Sequence, residues 1–252
     1  MLEAVIFDVD GTLADTEEAH RGAFNETFRE FDLSWDWDKA LYRRLLGVAG
    51  GRERLRHYCR ECCPERLERG DADEWIAALH RRKTQRYAEA VASGAVAPRP
   101  GVVRLIGELQ ARGVRLAIAT TTSRSNVEAL LQGSLGGLPV DTFDVIGAGE
   151  QAVEKKPSPA IYQWVVAQLA LAAGDCLAIE DSGNGVRSAR GAGVPVVVTE
   201  SEWSRGEDFS GSLAVVSDLG EPAAPFALID GDAQGKGYVD LALLERWHAS
   251  MA

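Results

Sequence analysis

A short apolar stretch near the N-terminus stops abruptly at two carboxylates, and this feature constrains the fold more than any other. Residues Ala4 to Phe7 are apolar, and Asp8, Asp10 and Gly11 follow directly. An uninterrupted apolar run of this length is typical of a strand that is buried on both faces of a parallel sheet. Side chains two residues apart share one face of a strand, so we expect both aspartates to enter one crevice at its carboxyl end.

Two carboxylates this close together repel each other, and the repulsion raises their pKa values. A cation could neutralise them, or one of them could work as a protonated acid. A simpler interpretation is a turn, because Asp-Gly is a common turn pair whose aspartate caps local backbone amides. The motif alone does not decide between a site and a turn.

Composition narrows the class of protein. The 252 residues include 38 acidic and 27 basic side chains, which gives a formal net charge of -11. This balance argues against a surface that binds nucleic acid or anionic membranes. No apolar run reaches the length of a membrane span, and the N-terminus lacks a basic region followed by an apolar signal core. We therefore expect a cytoplasmic protein, a monomer, with no nucleic-acid partner and no membrane association.

The cysteines do not suggest a disulfide framework. Four cysteines are spread unevenly over the chain, which fits a reducing compartment. Cys59, Cys62 and Cys63 lie near His57 and could suggest zinc. No second CxxC pair follows, and the segment has a helical pattern, so we interpret these cysteines as thiols of a helix.

Helical patterns fill the segment after the first strand. They begin at Asp15 or Thr16, either of which could cap the first helix, and continue in three further stretches: Lys39 to Leu46, Arg52 to Cys62, and Ala72 to about Val91. We interpret residues 15–97 as an inserted helical domain, which we call the cap. Residues 1–14 and 98–252 would form the α/β core, with hinges near Leu13 to Asp15 and in the proline-containing stretch 96–101.

From Gly101 onward, apolar strands alternate with helices. The predicted strands are Val114 to Ala119, about Phe143 to Ile146, Cys176 to Ile179, Val194 to Val198 and Leu213 to Val216. Helices are predicted over Val102 to Arg112, Arg124 to Leu131, Ser158 to Leu171, Gly185 to Ala192 and Leu241 to His248. This alternation predicts an α/β fold with a doubly wound parallel sheet. The stretch from Gly220 to Gly237 has no clear pattern.

Polar residues follow three of these later segments. Thr120 follows a strand, Lys156 precedes Pro157 ahead of a helix, and Glu180 and Asp181 end another strand. Taken singly, each has an ordinary interpretation: a helix cap, a solvated loop and a turn. Those interpretations do not explain why all of them occur at the carboxyl ends of predicted parallel strands or in the loops that follow. Together with the first motif they indicate an active site.

That set of side chains suits phosphoryl transfer. Carboxylate oxygens are hard ligands that suit Mg²⁺, and the ion would screen the approach of a phosphate dianion to an aspartate. Asp8 could then attack phosphorus, while Asp10 protonates the leaving oxygen and later deprotonates water. Lys156 and Thr120 could hold the transferring phosphoryl oxygens.

Four motifs resemble those of the haloacid dehalogenase superfamily of phosphotransferases: Asp8 to Thr12, Thr120, Lys156-Pro157, and Glu180-Asp181. The helical insertion is similar to the subgroup that contains β-phosphoglucomutase and phosphoglycolate phosphatase. Several longer segments resemble the CbbY family: Asp15-Thr16-Glu17 with His20, Gly47 to Glu53, Ala119 to Ser123, and Glu154 to Pro159. The resemblance implies a HAD-like Rossmannoid core and a sugar-phosphate phosphatase, acting on the 1-phosphate of xylulose 1,5-bisphosphate.

The resemblance also implies roles for single residues. Asp8 would be the nucleophile and a metal ligand, and Asp10 the acid and base, with its backbone carbonyl on the metal. Asp181 would be a metal ligand, and Glu180 either a ligand or a neighbour of one. The implied cofactor is Mg²⁺.

Further residues are implied to bind or enclose the substrate: Asp15, Glu17, His20, Arg52, Lys83, Thr121, Thr122 and Asn184. Among them, Arg52 and Lys83 fall where related enzymes hold a distal phosphate or sugar, and His20 where a relative's histidine supports cap closure. Without the resemblance, these cap cations are exposed helix charges. Four other arginines compete for the same role: Arg43, Arg44, Arg54 and Arg81.

Two other functions fit the same motifs. A phosphomutase would use the same aspartyl phosphate, although β-phosphoglucomutases typically carry an apolar residue where this chain has Thr12. A non-catalytic sugar-phosphate binder would not need the intact set of acidic residues and Lys156. A dehalogenase needs neither Asp10 nor a metal. We therefore expect a phosphatase that prefers a ketose bisphosphate.

Overall fold

The computed structural model describes residues 1–135 and 137–250. In those ranges, seven strands form one sheet: β1 (Ala4–Phe7), β2 (Arg115–Ala119), β3 (Val145–Gly147), β4 (Cys176–Glu180), β5 (Val196–Thr199), β6 (Val215–Val216) and β7 (Leu228–Asp230). The α-helices are α1 (Glu17–Glu30), α2 (Lys39–Leu46), α3 (Gly51–Cys62), α4 (Pro64–Leu67), α5 (Ala72–Ala92), α6 (Val102–Ala111), α7 (Arg124–Gly133), α8 (Ala160–Leu169), α9 (Gly183–Gly191) and α10 (Leu241–Ala249).

The sheet has the strand order β3-β2-β1-β4-β5-β6-β7. Strands β1 to β6 run parallel, and β7 pairs antiparallel with β6. The central strand β1 places Phe7 opposite both Ile118 of β2 and Ile179 of β4. Because these three strands end in register, the residues that follow them emerge at the same edge of the sheet.

Alternate residues of β1 face opposite layers of helices. Val5 and Phe7 belong to an apolar cluster with α6, α7 and α10, whereas Ala4 and Ile6 belong to a cluster with α8 and α9. All four side chains are fully buried, and a buried Val, Ile or Phe contributes about 2 kcal/mol each. An apolar residue is therefore required at every position of the strand. The predicted doubly wound α/β core is confirmed.

The cap contains α1 to α5 and has an apolar cluster of its own, which is rich in aromatic rings. Trp37 lies at its centre and is in contact distance of Phe24, Phe28 and Tyr58, at ring-centroid separations of 4.6, 4.9 and 5.3 Å. Aromatic pairs at these separations stabilise a cluster beyond their buried area. The long α5 also packs on α7 of the core, where Val91 lies against Gly133.

The chain passes between cap and core at two adjacent points. Ala14 forms an antiparallel bridge with Pro98, and the Arg99 backbone N–H donates to the Leu13 carbonyl over 3.0 Å. The division into residues 1–14, 15–97 and 98–252 stays a prediction, but the two crossings lie side by side, as a hinge between two bodies requires.

Two local features differ from expectation. Thr16 occupies the position before α1 but makes no side-chain capping bond, because its hydroxyl donates to Asp10 instead. The stretch from Gly220 to Gly237, which had no clear pattern, contains the edge strand β7. Leu228 and Ile229 are both exposed, so β7 lacks the buried alternation by which a strand is recognised.

No helix in residues 1–135 or 137–250 combines the length and the apolarity that a membrane span requires. The four cysteines are free thiols, and Cys62 is exposed. His57 lies 3.2 Å from the Glu61 carboxylate on the same helix. Cys59 is buried in the apolar cluster of the cap, and Cys63 packs against that cluster.

A buried arginine joins the hinge to the far half of the sheet. The Arg99 guanidinium donates to the backbone carbonyls of Gly11, Thr199, Glu200 and Ser217. Only 7% of this residue is exposed. Three separate segments, at Gly11, Thr199-Glu200 and Ser217, therefore depend on one side chain to satisfy their backbone carbonyl groups.

We predict that Arg99→Ala lowers the free energy of unfolding by about 3 kcal/mol, because it leaves several buried acceptors unpaired. Arg112→Ala is the matched control, since Arg112 is exposed at the end of α6; its effect should stay within about 0.5 kcal/mol. Urea unfolding followed by circular dichroism measures both. Equal stability of the two variants would contradict the linking role of Arg99.

Candidate active site

The residues that follow the central strands converge at one edge of the sheet. Asp8 follows β1, Thr120 follows β2, and Glu180 and Asp181 lie at the end of β4. Lys156 reaches them from the loop before α8, and its Nζ lies 2.7 Å from Asp8 Oδ1 and 2.6 Å from Glu180 Oε1. All five residues are at least nine-tenths buried. The sequence thus predicted a group of side chains that the fold brings together.

Lys156 is the cation at the centre of this group. Besides the two carboxylates, its ammonium group donates to the Ala119 carbonyl over 2.8 Å, so all three of its hydrogens have acceptors. Burial alone would lower the pKa of Lys156, but the neighbouring Asp8 and Glu180 raise it above its usual value. Lys156 is therefore a permanent positive charge.

Three carboxylates surround that one cation. Asp8, Glu180 and Asp181 each offer one oxygen within 4.8 Å of the others. Burial, and then repulsion between the carboxylates, raises the pKa values of Asp8 and Asp181 well above the usual value. Tyr162 donates to Glu180 Oε1 over 2.6 Å, and Ser201 donates to Asp181 Oδ2 over 2.9 Å.

The cluster fits a hard divalent cation. Its donor atoms are all oxygens, which Mg²⁺ and similar ions prefer. The second oxygen of Glu180, Oε2, is buried and has no hydrogen-bond partner among the described residues. Since Lys156 offsets only one of three negative charges, a divalent cation beside Asp8 and Asp181 would remove the remaining repulsion.

Asp10 lies beside the cluster in a different environment. Its Oδ1 accepts from the Thr16 hydroxyl over 2.5 Å and lies 3.0 Å from His20 Nε2. Burial raises the pKa of Asp10, but His20 and Thr16 outweigh it and lower the value to about 2. Asp10 is therefore an ionised carboxylate, in contrast to Asp8 and Asp181, whose pKa values are raised.

Behind His20 stands Lys83, a residue of α5. Its Nζ lies 2.6 Å from His20 Nδ1, and Tyr87 stacks on the imidazole at 3.9 Å between ring centroids. Burial lowers the pKa of Lys83 to about 7. Because an ionised Asp10 can only accept, the imidazole donates its Nε2–H to that carboxylate, and Nδ1 faces the Lys83 amino group.

These groups form the floor of a cavity of about 640 Å³ between cap and core. The cavity is lined by most of the predicted substrate-binding residues, namely Glu17, His20, Arg52, Lys83, Thr121, Thr122 and Asn184. Its size falls within the range of small-molecule sites.

The sequence of this chain matches the protein-family model of the haloacid dehalogenase-like hydrolases over residues 2–193. The chain belongs to this family. The predicted resemblance and the predicted class of enzyme, a hydrolase of the phosphatase type, are confirmed.

Individual relatives narrow the family further. Protein CbbY from Cupriavidus necator is 51% identical over 98% of this chain and 97% of its own length. The phosphoglycolate phosphatase of Rhodospirillum rubrum is 36% identical over 87% of this chain and 88% of its own. A crystal structure of a CbbY mutant from Rhodobacter sphaeroides in complex with xylulose 1,5-bisphosphate is 43% identical, with a TM-score of 0.80, and the match covers 88% of this chain and 98% of that chain.

Within this haloacid dehalogenase-like fold, one predicted residue lies apart from the cavity. Asp15 is exposed and does not line it; its carboxylate lies 3.5 Å from Arg99 at the hinge. Because α1 begins at Glu17, one turn of helix directs Glu17 and His20 inward and leaves Asp15 outside. Glu17 accepts from the Tyr42 hydroxyl over 3.0 Å.

The competing cap arginines separate by position. Arg52, Arg54 and Arg81 line the cavity, whereas Arg43 and Arg44 do not. Arg44 pairs with Glu61 on the outer surface. Arg54 is buried, and its guanidinium donates to the Leu45 carbonyl and the Tyr42 hydroxyl inside the cap.

Sequence reasoning missed several contributors to the site. Ser201, which donates to Asp181, and Ser204, which contacts Ser201, follow β5, so the rule that selected the other strand ends could have found them. Tyr162 lies in the apolar pattern of α8 and gave no polar signal. His80 lines the cavity beside Arg52 and Lys83, and burial followed by these cations lowers its pKa to about 3.

Two glycines make room for the carboxylates. A Cβ at Gly11 would overlap Asp181, and a Cβ at Gly185 would overlap the carboxylate of Glu180. Gly185 lies in the first turn of α9, where its small size allows the helix to start against the site.

We predict that Gly185→Ala lowers the free energy of unfolding by about 2 kcal/mol, because Glu180 must leave Lys156 and Tyr162. Gly107→Ala is the matched control, since a Cβ there meets nothing within 4 Å; alanine should stabilise α6 by up to about 1 kcal/mol. Thermal unfolding measures both changes. A neutral Gly185→Ala would contradict the packing described for Glu180.

Proposed function

We propose that this protein is a Mg²⁺-dependent phosphatase that hydrolyses a small sugar phosphate through an aspartyl phosphate formed on Asp8. One observation carries the proposal: Asp8 is buried at the floor of the cavity, 2.7 Å from the Lys156 ammonium and beside the carboxylates of Glu180 and Asp181. A nucleophile, a fixed cation and ligands for a second cation thus meet at one point.

Asp8 and Asp181 would hold the ion, together with the backbone carbonyl of Asp10 that the family resemblance implies. When bound, a divalent cation neutralises carboxylate and phosphate charge and so permits the two anions to meet. Glu180 has a supporting role in this proposal, because its Oε1 already accepts from Lys156 and Tyr162. It fixes the ammonium group next to the nucleophile.

Asp8 would attack phosphorus, and the bond from phosphorus to the sugar oxygen would break. Lys156 would stabilise the charge on the transferring oxygens, and Thr120, at the end of β2, would bind one of them. The Thr120 hydroxyl accepts from the Thr122 backbone N–H over 3.2 Å. This contact fixes the turn whose amides, with Thr121 and Thr122, would face the phosphoryl group.

Asp10 would act on the leaving oxygen and then on water. Its carboxylate is ionised, since the pKa is about 2, so it is ready to serve as the base that activates water. Protonating the sugar oxygen requires that a proton arrive with the substrate. A phosphate monoester has its second pKa near 6 and can bring that proton as the monoanion, which would pass it through the Asp10 carboxylate to the leaving sugar oxygen. The ionised Asp10 would then take a proton from water as the water oxygen attacks phosphorus, so that the bond between phosphorus and Asp8 breaks and inorganic phosphate leaves.

The substrate would be a ketose bisphosphate, and xylulose 1,5-bisphosphate is the preferred candidate. The CbbY relatives and the ligand of the Rhodobacter sphaeroides structure support this choice. In the cavity wall, Arg52 and Arg81 of the cap and Lys155 of the core offer cations for a second phosphate. A cytoplasmic monomer stays our prediction.

We predict that Asp8→Asn, or removal of divalent ions with a chelator, lowers phosphate release from sugar phosphates at least about a thousandfold. Added Mg²⁺ should restore the chelated enzyme but not the variant. Asp141→Asn, which changes an exposed carboxylate, is the control and should retain full activity. Release of inorganic phosphate is the measurement; turnover that survives either treatment would rule out the mechanism, and transfer of phosphate to another sugar hydroxyl would indicate a phosphomutase.

We predict a higher kcat/KM for xylulose 1,5-bisphosphate than for phosphoglycolate or sugar monophosphates. Arg52→Met should raise KM for the bisphosphate about tenfold, equivalent to about 1.4 kcal/mol, and should leave KM for a monophosphate unchanged. Arg60→Met is the control, because Arg60 is exposed on the same helix and lies outside the cavity. Equal rates on all substrates, or fastest turnover of phosphoglycolate, would contradict the assignment.

A further inference from the structure

A loop that follows β5 touches both the candidate active site and the cap. We call residues 200–207 the Trp203 loop, which begins where β5 ends. The Glu200 backbone N–H donates to the Val216 carbonyl over 2.8 Å and so fixes the start of the loop. Within it, Ser201 and Ser204 face the core, while Glu202 and Trp203 contact the cap. Neither pair belongs to the motifs that the sequence analysis selected.

The inner face holds a carboxylate of the acidic cluster. The Ser201 hydroxyl donates to Asp181 Oδ2 over 2.9 Å and lies 3.0 Å from the Ser204 hydroxyl. Backbone groups close the turn, because the Ser201 N–H donates to Ser204 Oγ over 3.0 Å. Farther along, Glu207 accepts from the Gly183 N–H over 2.8 Å at the start of α9. The loop therefore has a fixed position relative to Asp181.

The outer face of the Trp203 loop packs against helix α2 of the cap. The Trp203 ring meets Tyr42 edge-on, with 5.6 Å between ring centroids, and lies 5.8 Å from the cationic groups of Lys39 and Arg43. Arg43 also donates to the Glu202 carbonyl over 3.2 Å. Cations this close to an indole ring attract it, so α2 is held by packing and charge together.

Trp203 belongs to the apolar cluster of the cap although it is a residue of the core chain. The other buried members of that cluster in the described structure lie between Phe24 and Leu79. Only 8% of Trp203 is exposed. If the cap moved away, the core would expose an indole with about 200 Å² of surface, so burial of this ring favours the closed arrangement.

Tyr42 carries the contact onward to the cavity. Its hydroxyl donates to Glu17 over 3.0 Å and accepts from Arg54 over 3.0 Å, and Glu17 lines the cavity next to His20. Trp203 itself also lines the cavity wall. Displacing the indole would therefore loosen α2 and Tyr42, and with them the cap wall around the substrate.

We propose that Trp203 is a positioning residue that holds helix α2 of the cap against the core, so that one loop positions both Asp181 and the cap wall around the substrate. The proposal rests on the proposed phosphatase function for its kinetic consequence, but not for its structural one. Trp203 acts through α2 and Tyr42 and takes no part in bond breaking.

The test compares Trp203→Ala and Trp203→Phe with Trp164→Ala, which removes a half-buried tryptophan from α8 on the other side of the sheet. Hydrogen exchange of residues 39–46, measured by mass spectrometry, needs no turnover. Trp203→Ala should speed exchange there at least tenfold and leave α8 unchanged, because α2 loses its anchor. Trp203→Phe should restore most of the protection, and Trp164→Ala should not affect α2.

Kinetics provide the second measurement. Trp203→Ala should raise KM for the sugar bisphosphate about tenfold and change kcat less than threefold, since the cap must close without its anchor. Should Trp203→Ala fail to fold, the double variant Lys39→Ala with Arg43→Ala removes the cations of α2 that contact the Trp203 ring. This variant should also speed hydrogen exchange of residues 39–46.

Unchanged exchange of α2 in the folded variants would overturn the proposal. Equal losses in α2 and α8 would also overturn it, because they would indicate a general loss of stability. If no sugar phosphate is hydrolysed by the natural protein, the proposed function fails, while the exchange result still decides the role of Trp203.

Discussion

The fold depends on one buried cation placed among three buried carboxylates. Lys156 pairs with both Asp8 and Glu180 but offsets only one of the three negative charges, and the residual charge makes the group a ready site for a second cation. Burying carboxylates without a partner would destabilise the fold. The central strands can end in acidic residues because the loop before α8 places Lys156 next to them. Gly11 and Gly185 contribute by their small size, since a methyl group at either position would displace a carboxylate.

The sequence predicted the core of this arrangement because its signals were local. The apolar run of β1 and the acidic residues that end it specify both the strand and the site. The parallel register then brings the ends of β2 and β4 beside the end of β1. The cap was harder to predict, because its arginines look alike in sequence. Tertiary packing separates them: Arg44 pairs with Glu61 on the cap surface, while Arg52 and Arg54 both line the cavity, and Arg54 is already bonded to the Tyr42 hydroxyl.

Other features were beyond prediction because they depend on distant contacts. Thr16 resembles a helix cap, yet its hydroxyl binds Asp10, since the hinge brings the two together. The position of Lys83 behind His20 requires α1 and α5 to be adjacent, which no local pattern states. Ser201 could have been noticed at the end of β5, but nothing in its sequence context connects it with Asp181.

The partners of Arg99 have a practical consequence for the length of chain that can be produced. The family match ends at residue 193, whereas three of the carbonyl groups that Arg99 binds belong to Thr199, Glu200 and Ser217. A fragment cut at that boundary would keep all four recognisable motifs and lose the acceptors that fasten the hinge. The minimal unit for expression therefore extends past the limits of the family match, at least through Ser217, the residue after β6.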